Sequence, residues 1–250
     1  MQNTDMKKAM IFAAGTGSRL RPLTNQIPKA LVPVAGVPLL ERVICKLADA
    51  GFYDITINIH HLGQQIIDFL QAKQNFGLHI HISDERTQLL NTGGGIRHAR
   101  HFLDGNEPFL VHNVDILTDA NINVLWDSHI RNGAEATLLT EHRKTSRYLL
   151  FDPTMHLRGW FNQSTQEIRP AGLTNTYESW AFDGIHVFSP SLFRRMEDAR
   201  WESSFSIIDF YLHVCADSFI QGCPIQATHW FDTGTPDTLA KAERWYSNKK

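Results

Sequence analysis

The chain has 250 residues, of which 42% are hydrophobic and 20% charged, enough to bury a substantial core as one large α/β domain or two intimate ones. A formal net charge of −2, with Lys and Arg spread along the chain, provides no extended basic face and argues against nucleic acid as the principal partner. The three cysteines, Cys45, Cys215 and Cys223, are widely spaced and lack a Cys-x-x-Cys pair for zinc or a redox dithiol, which suits a reduced cytoplasm.

In chain order, residues 1–6 read as a ragged terminus. The apolar run over 9–14 is too short for a signal-peptide core or a bilayer span, so neither secretion nor membrane insertion is expected. Residues 9–13 suit a buried strand that ends in glycines. After Pro38, apolar residues at Leu39, Leu40, Val43, Ile44, Leu47 and Ala48 repeat at helical spacing, and Gly51 closes that helix. A strand over 55–59, a helix over 62–71 and an alternating strand over 78–82 follow. Gly93-Gly94-Gly95 opens another helix, and Phe109-Leu110-Val111 reads as a buried strand running into Asn113 and Asp115. This alternation implies crossover connections and a mostly parallel sheet covered on both faces, with ligands at the carboxyl ends of its strands.

From about Glu135 the strand candidates crowd together, at 136–140, 148–151 and 180–188, with helices near 191–199 and 207–216. This half reads as a mixed extension of the same sheet that forms the other wall of a cleft. The tail Asn248-Lys249-Lys250 reads as a solvated helix end. No repeat, low-complexity stretch or linker marks a domain boundary.

The strongest signal follows the first strand. Gly15 and Gly17 let the backbone approach a ligand and present N–H groups to phosphate oxygens, while Arg19, Arg21 and Lys29 add positive charge. Two common nucleotide fingerprints fail here: Leu20 stands where the dinucleotide motif has its third glycine, and no Gly-Lys-Ser/Thr follows. By itself Gly-x-Gly also fits an ordinary β-to-α turn with a basic rim. A second signal is a distant carboxylate pair, Asp115 and Asp232, the latter in Trp230-Phe231-Asp232-Thr233-Gly234-Thr235. Magnesium favours one or two protein carboxylates, with phosphate oxygens and water completing its octahedron. Each aspartate also fits a turn or helix-capping role. Third is Thr92-Gly93-Gly94-Gly95, which fits a capped tight turn as well as a ligand loop. His79 and His81 share one face of their strand, and His60-His61 follow a strand end; a metal pair is not the favoured reading of the first, and cleft border or helix entry fits the second.

The whole string from Ala13 to Gly36, with Pro28-Lys29 inside it, resembles the signature of the nucleoside-diphosphate-sugar pyrophosphorylases, which are sugar-1-phosphate nucleotidyltransferases. The likeness covers residues 7–245. It implies a Rossmann-like three-layer α/β/α sandwich with a mostly parallel mixed central sheet, as one domain over 7–247 whose halves, 7–134 and 135–247, serve nucleotide and sugar. It further implies nucleotide contacts from Ala13, Ala14, Gly15, Thr16, Gly17, Ser18, Arg19 and Lys29, with Thr92 and Gly93 against the base. Asp115 and Asp232 would hold Mg2+, Arg19 would stabilise the leaving pyrophosphate, and Lys29 would hold the α-phosphate. Asn113 is expected to face the sugar and Gly184 to leave room for it.

Two departures stand out. Val114 replaces a glycine common beside the metal aspartate, and the Glu-Lys-Pro motif that supplies a sugar-phosphate lysine is missing, with Arg147 as its candidate replacement. Short length, the Thr-Gly-Gly-Gly loop and the terminal Trp-Phe-Asp-Thr-Gly-Thr are most similar to members that transfer uridylyl from UTP to N-acetylmuramate 1-phosphate. No appended β-helix domain is expected. Transfer to mannose, glucose or choline phosphates, and a noncatalytic sensor of nucleotide sugars, are the competing readings; monomer and homo-oligomer both remain open.

Overall fold

The computed structural model describes residues 6–173 and 177–248; apart from Met6, the ragged start lies outside them, as do Lys249 and Lys250. The first half runs β1 (Lys7–Phe12), β2 (Pro33–Val34), β3 (Val37–Pro38), α1 (Leu39–Asp49), β4 (Phe52–Ile59), α2 (Gly63–Ala72) and β5 (His79–Asp84). It continues with α3 (Asn91–His98), α4 (Arg100–Leu103), β6 (Phe109–Asn113), β7 (Ile116–Thr118) and α5 (Ile122–Asn132). The second half holds β8 (Ala136–Glu141), β9 (Arg147–Phe151), β10 (Leu157–Asn162), β11 (Glu167–Arg169) and β12 (Glu178–Phe188). The chain then runs through α6 (Ile207–Val214), β13 (Ile220–Pro224), β14 (Trp230–Asp232) and α7 (Pro236–Ser247).

Ten strands form one mixed sheet in the order β11-β10-β9-β12-β6-β1-β4-β5, with β8 also on β12 and β13 on β8. The first-half segment β6-β1-β4-β5 is parallel throughout. Strand β12 joins β6 antiparallel, so both halves share the sheet. Alternate residues feed opposite faces: Ala9, Ile11 and Leu110 enter one apolar cluster, while Met10, Phe109 and Val111 enter the other. The result is three layers. Each fully buried Leu, Ile or Phe in these clusters contributes about 1.5–3 kcal/mol relative to exposure, which is why both-face strands read as unbroken apolar runs. Among the described residues no helix is long and apolar enough to cross a membrane.

Residues 191–199, expected as an α-helix, form instead a 3-10 stretch over Pro190–Glu197. Its buried Leu192, Phe193 and Met196 satisfy either helical spacing, and so short a segment leaves the choice to packing. The strand expected over 78–82 is displaced to His79–Asp84, where it forms the sheet edge beside β4.

The three glycines expected to open a helix lie inside α3. A Cβ on Gly93 would enter the Phe205 ring, one on Gly94 the Ser203 carbonyl, and one on Gly95 would stand 2.9 Å from Glu85 Oε1. Gly93 and Gly94 both donate to the Phe205 carbonyl (2.8 and 3.3 Å), so the segment before α6 lies directly on the helix backbone. A helical Gly→Ala change ordinarily stabilises by about 1 kcal/mol. Here Gly94→Ala is expected to destabilise by ~1–3 kcal/mol through overpacking, read as a lowered urea midpoint; a raised midpoint would show that the 203–205 segment yields.

Candidate active site

Parallel register sets the stage. Phe12 at the end of β1 stands level with Asn58 on β4 and Asn113 on β6, so the loop after β1 and both asparagines share the carboxyl edge of the sheet. Two adjoining cavities open there. The smaller, about 430 Å³, is bordered by Ala14, Gly15, Lys29, Glu85, Thr92 and Asp115. The larger, about 760 Å³, is bordered by Arg143, Arg147, Arg169, Gly184, Trp230 and Asp232, and Asn91 and Asn113 border both.

The glycine loop divides its tasks. Gly17 has φ +62°, and a Cβ there would lie 2.7 Å from Thr24 Cγ2; the Thr24 hydroxyl donates to the Gly17 carbonyl at 2.8 Å. Conformation and packing both require that glycine. Gly15 is different, because a Cβ there would meet nothing within 4 Å. Ala13 and Ala14 have already spent their N–H groups on Asn58 Oδ1 (2.7 and 3.2 Å). Among the described residues, the N–H groups of Gly15, Thr16, Gly17, Ser18 and Arg19 meet no acceptor. A run of unpaired N–H groups that begins on the cavity wall at Gly15 suits an anion.

Charge gathers beside it. Lys29, on a single 3-10 turn after Pro28, forms an ion pair with Asp115 Oδ2, and both side chains are largely buried. Asp115 sits in the two-residue turn between β6 and β7, and its carbonyl accepts the backbone N–H and the hydroxyl of Thr233, each at 2.9 Å. Asp232 pairs with Ile116 across β14 and β7, which sets a residue near the carboxyl terminus next to the neighbour of Asp115 in mid-chain. Asp232 Oδ1 also accepts the Gly234 N–H (2.8 Å), so the turn-forming role expected of it is real as well. A Cβ on Gly234 would lie 2.5 Å from Arg19 Nη2 and 2.7 Å from Asp232 Oδ1, which places the Arg19 guanidinium over Gly234, beside the carboxylate. Lys29 is thus paired with Asp115, Arg19 lies beside Asp232, and the pairing of β14 with β7 sets these two pairs side by side.

Other expected residues resolve differently. Thr92 borders the smaller cavity, and its hydroxyl accepts the Ile207 N–H at 2.9 Å, capping α6 rather than its own helix. Gly93 is buried against Phe205, so its lack of a side chain is a packing requirement. The space at Gly184 (φ +75°) is filled by Asn113, whose Nδ2 would stand 2.8 Å from a Cβ there. Val114 packs into the core and also borders the smaller cavity beside Asp115, and its N–H donates to the Phe12 carbonyl at 3.2 Å. His81 pairs with Asp54 and stacks on Phe102, while His60 and His61 bond the carbonyls of Glu85 and Thr24 (2.7 and 3.1 Å). Among the described residues no three His, Cys, Asp or Glu cluster as metal ligands.

Three arginines line the larger cavity. Arg143 donates to Asp183 Oδ1 (2.8 Å) and the Phe182 carbonyl (2.7 Å) and lies 3.6 Å over the Trp230 ring. Burial pushes Asp183 up to about 6 in spite of that guanidinium. Arg169 pairs with Asp209 (2.9 Å) and Glu167 (3.3 Å) over Trp160. Arg147 is exposed, and its guanidinium meets no carboxylate among the described residues. Sequence reasoning missed Arg143 and Arg169, because nothing local separates a stacked, paired arginine from a surface one.

It also missed Asn58 and Glu85. Asn58 Nδ2 donates to Glu85 Oε1 (2.7 Å), and Glu85 Oε2 accepts the Leu90 N–H (3.2 Å). Burial pushes the Glu85 carboxyl up, and the hydrogen bonds from Asn58 and Leu90 work against that rise. Only a polar residue ending an apolar strand pointed to Asn58.

A nucleotidyl transferase family model matches residues 8–249. An N-acetylmuramate alpha-1-phosphate uridylyltransferase of Neisseria meningitidis is 38% identical over 191 residues, covering 76% of this chain and 78% of that protein. One from Caulobacter vibrioides is 30% identical over 245 residues, covering 95% and 96%. Among solved structures, a UDP-glucose pyrophosphorylase complexed with UDP-glucose shares the fold, with a TM-score of 0.79, 17% identity and coverage of 98% and 100%. A family match that spans both metal-type aspartates and the glycine loop leaves one assignment: this chain belongs to the nucleotidyl transferase family.

Proposed function

We propose that the chain transfers a uridylyl group from UTP to N-acetylmuramate 1-phosphate, releasing pyrophosphate, as a cytoplasmic Mg2+-dependent enzyme. The observation that carries this reading is the convergence of Lys29, Asp115, Asp232 and Arg19 next to a loop of free N–H groups. The acceptor and base are drawn from the relatives' activity, supported by 30% identity over nearly the whole chain.

The donor set fits magnesium. Asp115 and Asp232 supply two carboxylates, and the cleft leaves room for phosphate oxygens and water to complete an octahedron. When bound, the ion would neutralise charge on the reacting phosphates. The chain's own groups do the remainder. N–H groups of residues 15–19 hold the triphosphate, Lys29 holds the α-phosphate, and Arg19, over Gly234, faces the charge that develops on pyrophosphate. A sugar-phosphate oxygen attacks the α-phosphorus as the bond to pyrophosphate breaks, so no nucleophilic side chain is required and the catalytic gain is positioning plus charge. The larger cavity takes the sugar, with Asn113 on the shared wall and the uncompensated Arg147 available to an anionic group.

Lys29→Ala and Asp115→Asn are each expected to stay folded and lose ~100-fold or more in turnover, measured as pyrophosphate release; near-normal release by either would overturn the assignment. Chelation by EDTA should abolish release and added Mg2+ restore it, with no change in far-UV circular dichroism. Gly15→Ala is expected to leave the melting temperature unchanged, since a Cβ there meets nothing, yet to raise the KM for UTP. Four nucleoside triphosphates assayed against sugar 1-phosphates with and without an acid group test base and acceptor together.

A further inference from the structure

We propose that Asn58 and Glu85 are a positioning pair that sets the shape of the nucleotide chamber, by fixing which way the Asn58 amide points; this rests on the nucleotidyl-transfer reading of the site. Two backbone N–H groups, those of Ala13 and Ala14, converge on Asn58 Oδ1, while Asn58 Nδ2 donates to Glu85 Oε1 at 2.7 Å. The two ends of an amide are nearly equal in size, so shape alone does not choose between them. A carboxylate only accepts. Glu85 therefore holds the NH2 group toward itself and leaves the oxygen for the loop; with the amide reversed, three donors would face one another without an acceptor.

Both residues are almost fully enclosed, at 2% and 1% exposure, so water is not at hand to relieve such a conflict. The network continues on the other side, where Glu85 Oε2 accepts the Leu90 N–H at 3.2 Å, directly before Asn91 and Thr92 on the chamber wall. Glu85 is itself anchored, its N–H donating to the Ile59 carbonyl at 2.8 Å and its carbonyl bonded to His60. The first two residues of the glycine loop are thus tied to the opposite wall through two side chains, and the N–H groups that follow, at residues 15–19, are left without an acceptor among the described residues. Gly95 completes the arrangement, since a Cβ there would crowd Glu85 Oε1 and Asn58 Nδ2 (2.9 and 3.2 Å).

The pair can be tested by reversing its polarity in the full chain. Glu85→Gln sets an amide NH2 against either Asn58 or the Leu90 N–H, and Asn58→Asp brings two buried carboxylates into contact. In the double variant Asn58→Asp/Glu85→Gln the carboxylate at 58 still accepts from Ala13 and Ala14, and the amide at 85 donates back to it while taking the Leu90 N–H. Each single variant is expected to raise the KM for UTP by about 10-fold or more with kcat changed far less, and the double variant to return it to within about threefold of the parent. Amide hydrogen exchange at Ala13 and Ala14, faster in the singles and slow again in the double, reads the same geometry without turnover. Loss of folding in a single variant that the double restores, by urea midpoint, counts equally in favour. Single variants with parental KM and exchange, or a double variant no better than the worse single, would overturn the proposal. A parent inactive with every nucleoside triphosphate would instead sink the functional reading, and exchange would still decide the pair.

Discussion

Strands β7 and β14 pair over three residues, and the Asp115 carbonyl takes two bonds from Thr233 at the end of that pairing. This short antiparallel contact holds the carboxyl-terminal segment beside the turn that carries Asp115, and the placement of Asp232 and Arg19 relative to that residue depends on it. Without it Asp232 would have no fixed relation to Asp115, and Arg19 would lose the glycine over which it lies. The capping box of Thr235 and Thr238 starts α7 immediately afterwards, so the segment is clamped at both ends.

Charge in the cleft is arranged for a guest. Lys29 and Asp115 neutralise each other within the protein, and Arg143 and Arg169 are matched by acidic partners. Among the described residues, the N–H groups of residues 15–19 meet no acceptor and the Arg19 and Arg147 guanidinium groups meet no carboxylate, with Gly15 bordering the smaller chamber and Arg147 the larger. Those are the positions at which a doubly anionic substrate pair would find unspent donors. Aromatic rings under Arg143 and Arg169 help to hold these guanidinium groups in place on the wall of the larger chamber.

The parallel half of the fold was readable because its strands are buried on both faces and separated by amphipathic helices at 3.6-residue spacing. The second half was harder. Strands β10, β11, β13 and β14 are short, and Leu157 to Asn162 alternates too weakly to stand out from a loop. At the site, the residues carried by dense motifs, Arg19, Lys29, Asp115 and Asp232, were legible, since their spacing and flanking glycines are themselves constrained. Glu85 and Arg143 were not, because their partners lie 27 and 40 residues away and only the folded sheet brings them together. The Gly93 and Gly184 positions teach a related lesson: an absent side chain marks close approach, but of Phe205 and Asn113 as readily as of a ligand.

The register of β12 shifts between Phe182 and His186, around Gly184, and the β9-β10-β11 meander joins it through three register pairs, Glu178 with Phe151, Ser179 with Leu150 and Trp180 with Leu149. Arg147, Trp160 and Arg169 all ride on that meander. One wall of the larger cavity is thereby carried on an antiparallel extension, while the glycine loop stays with the parallel half of the sheet. A fold built this way can reshape its larger cavity by rewriting one antiparallel extension, without moving the loop that borders the smaller one.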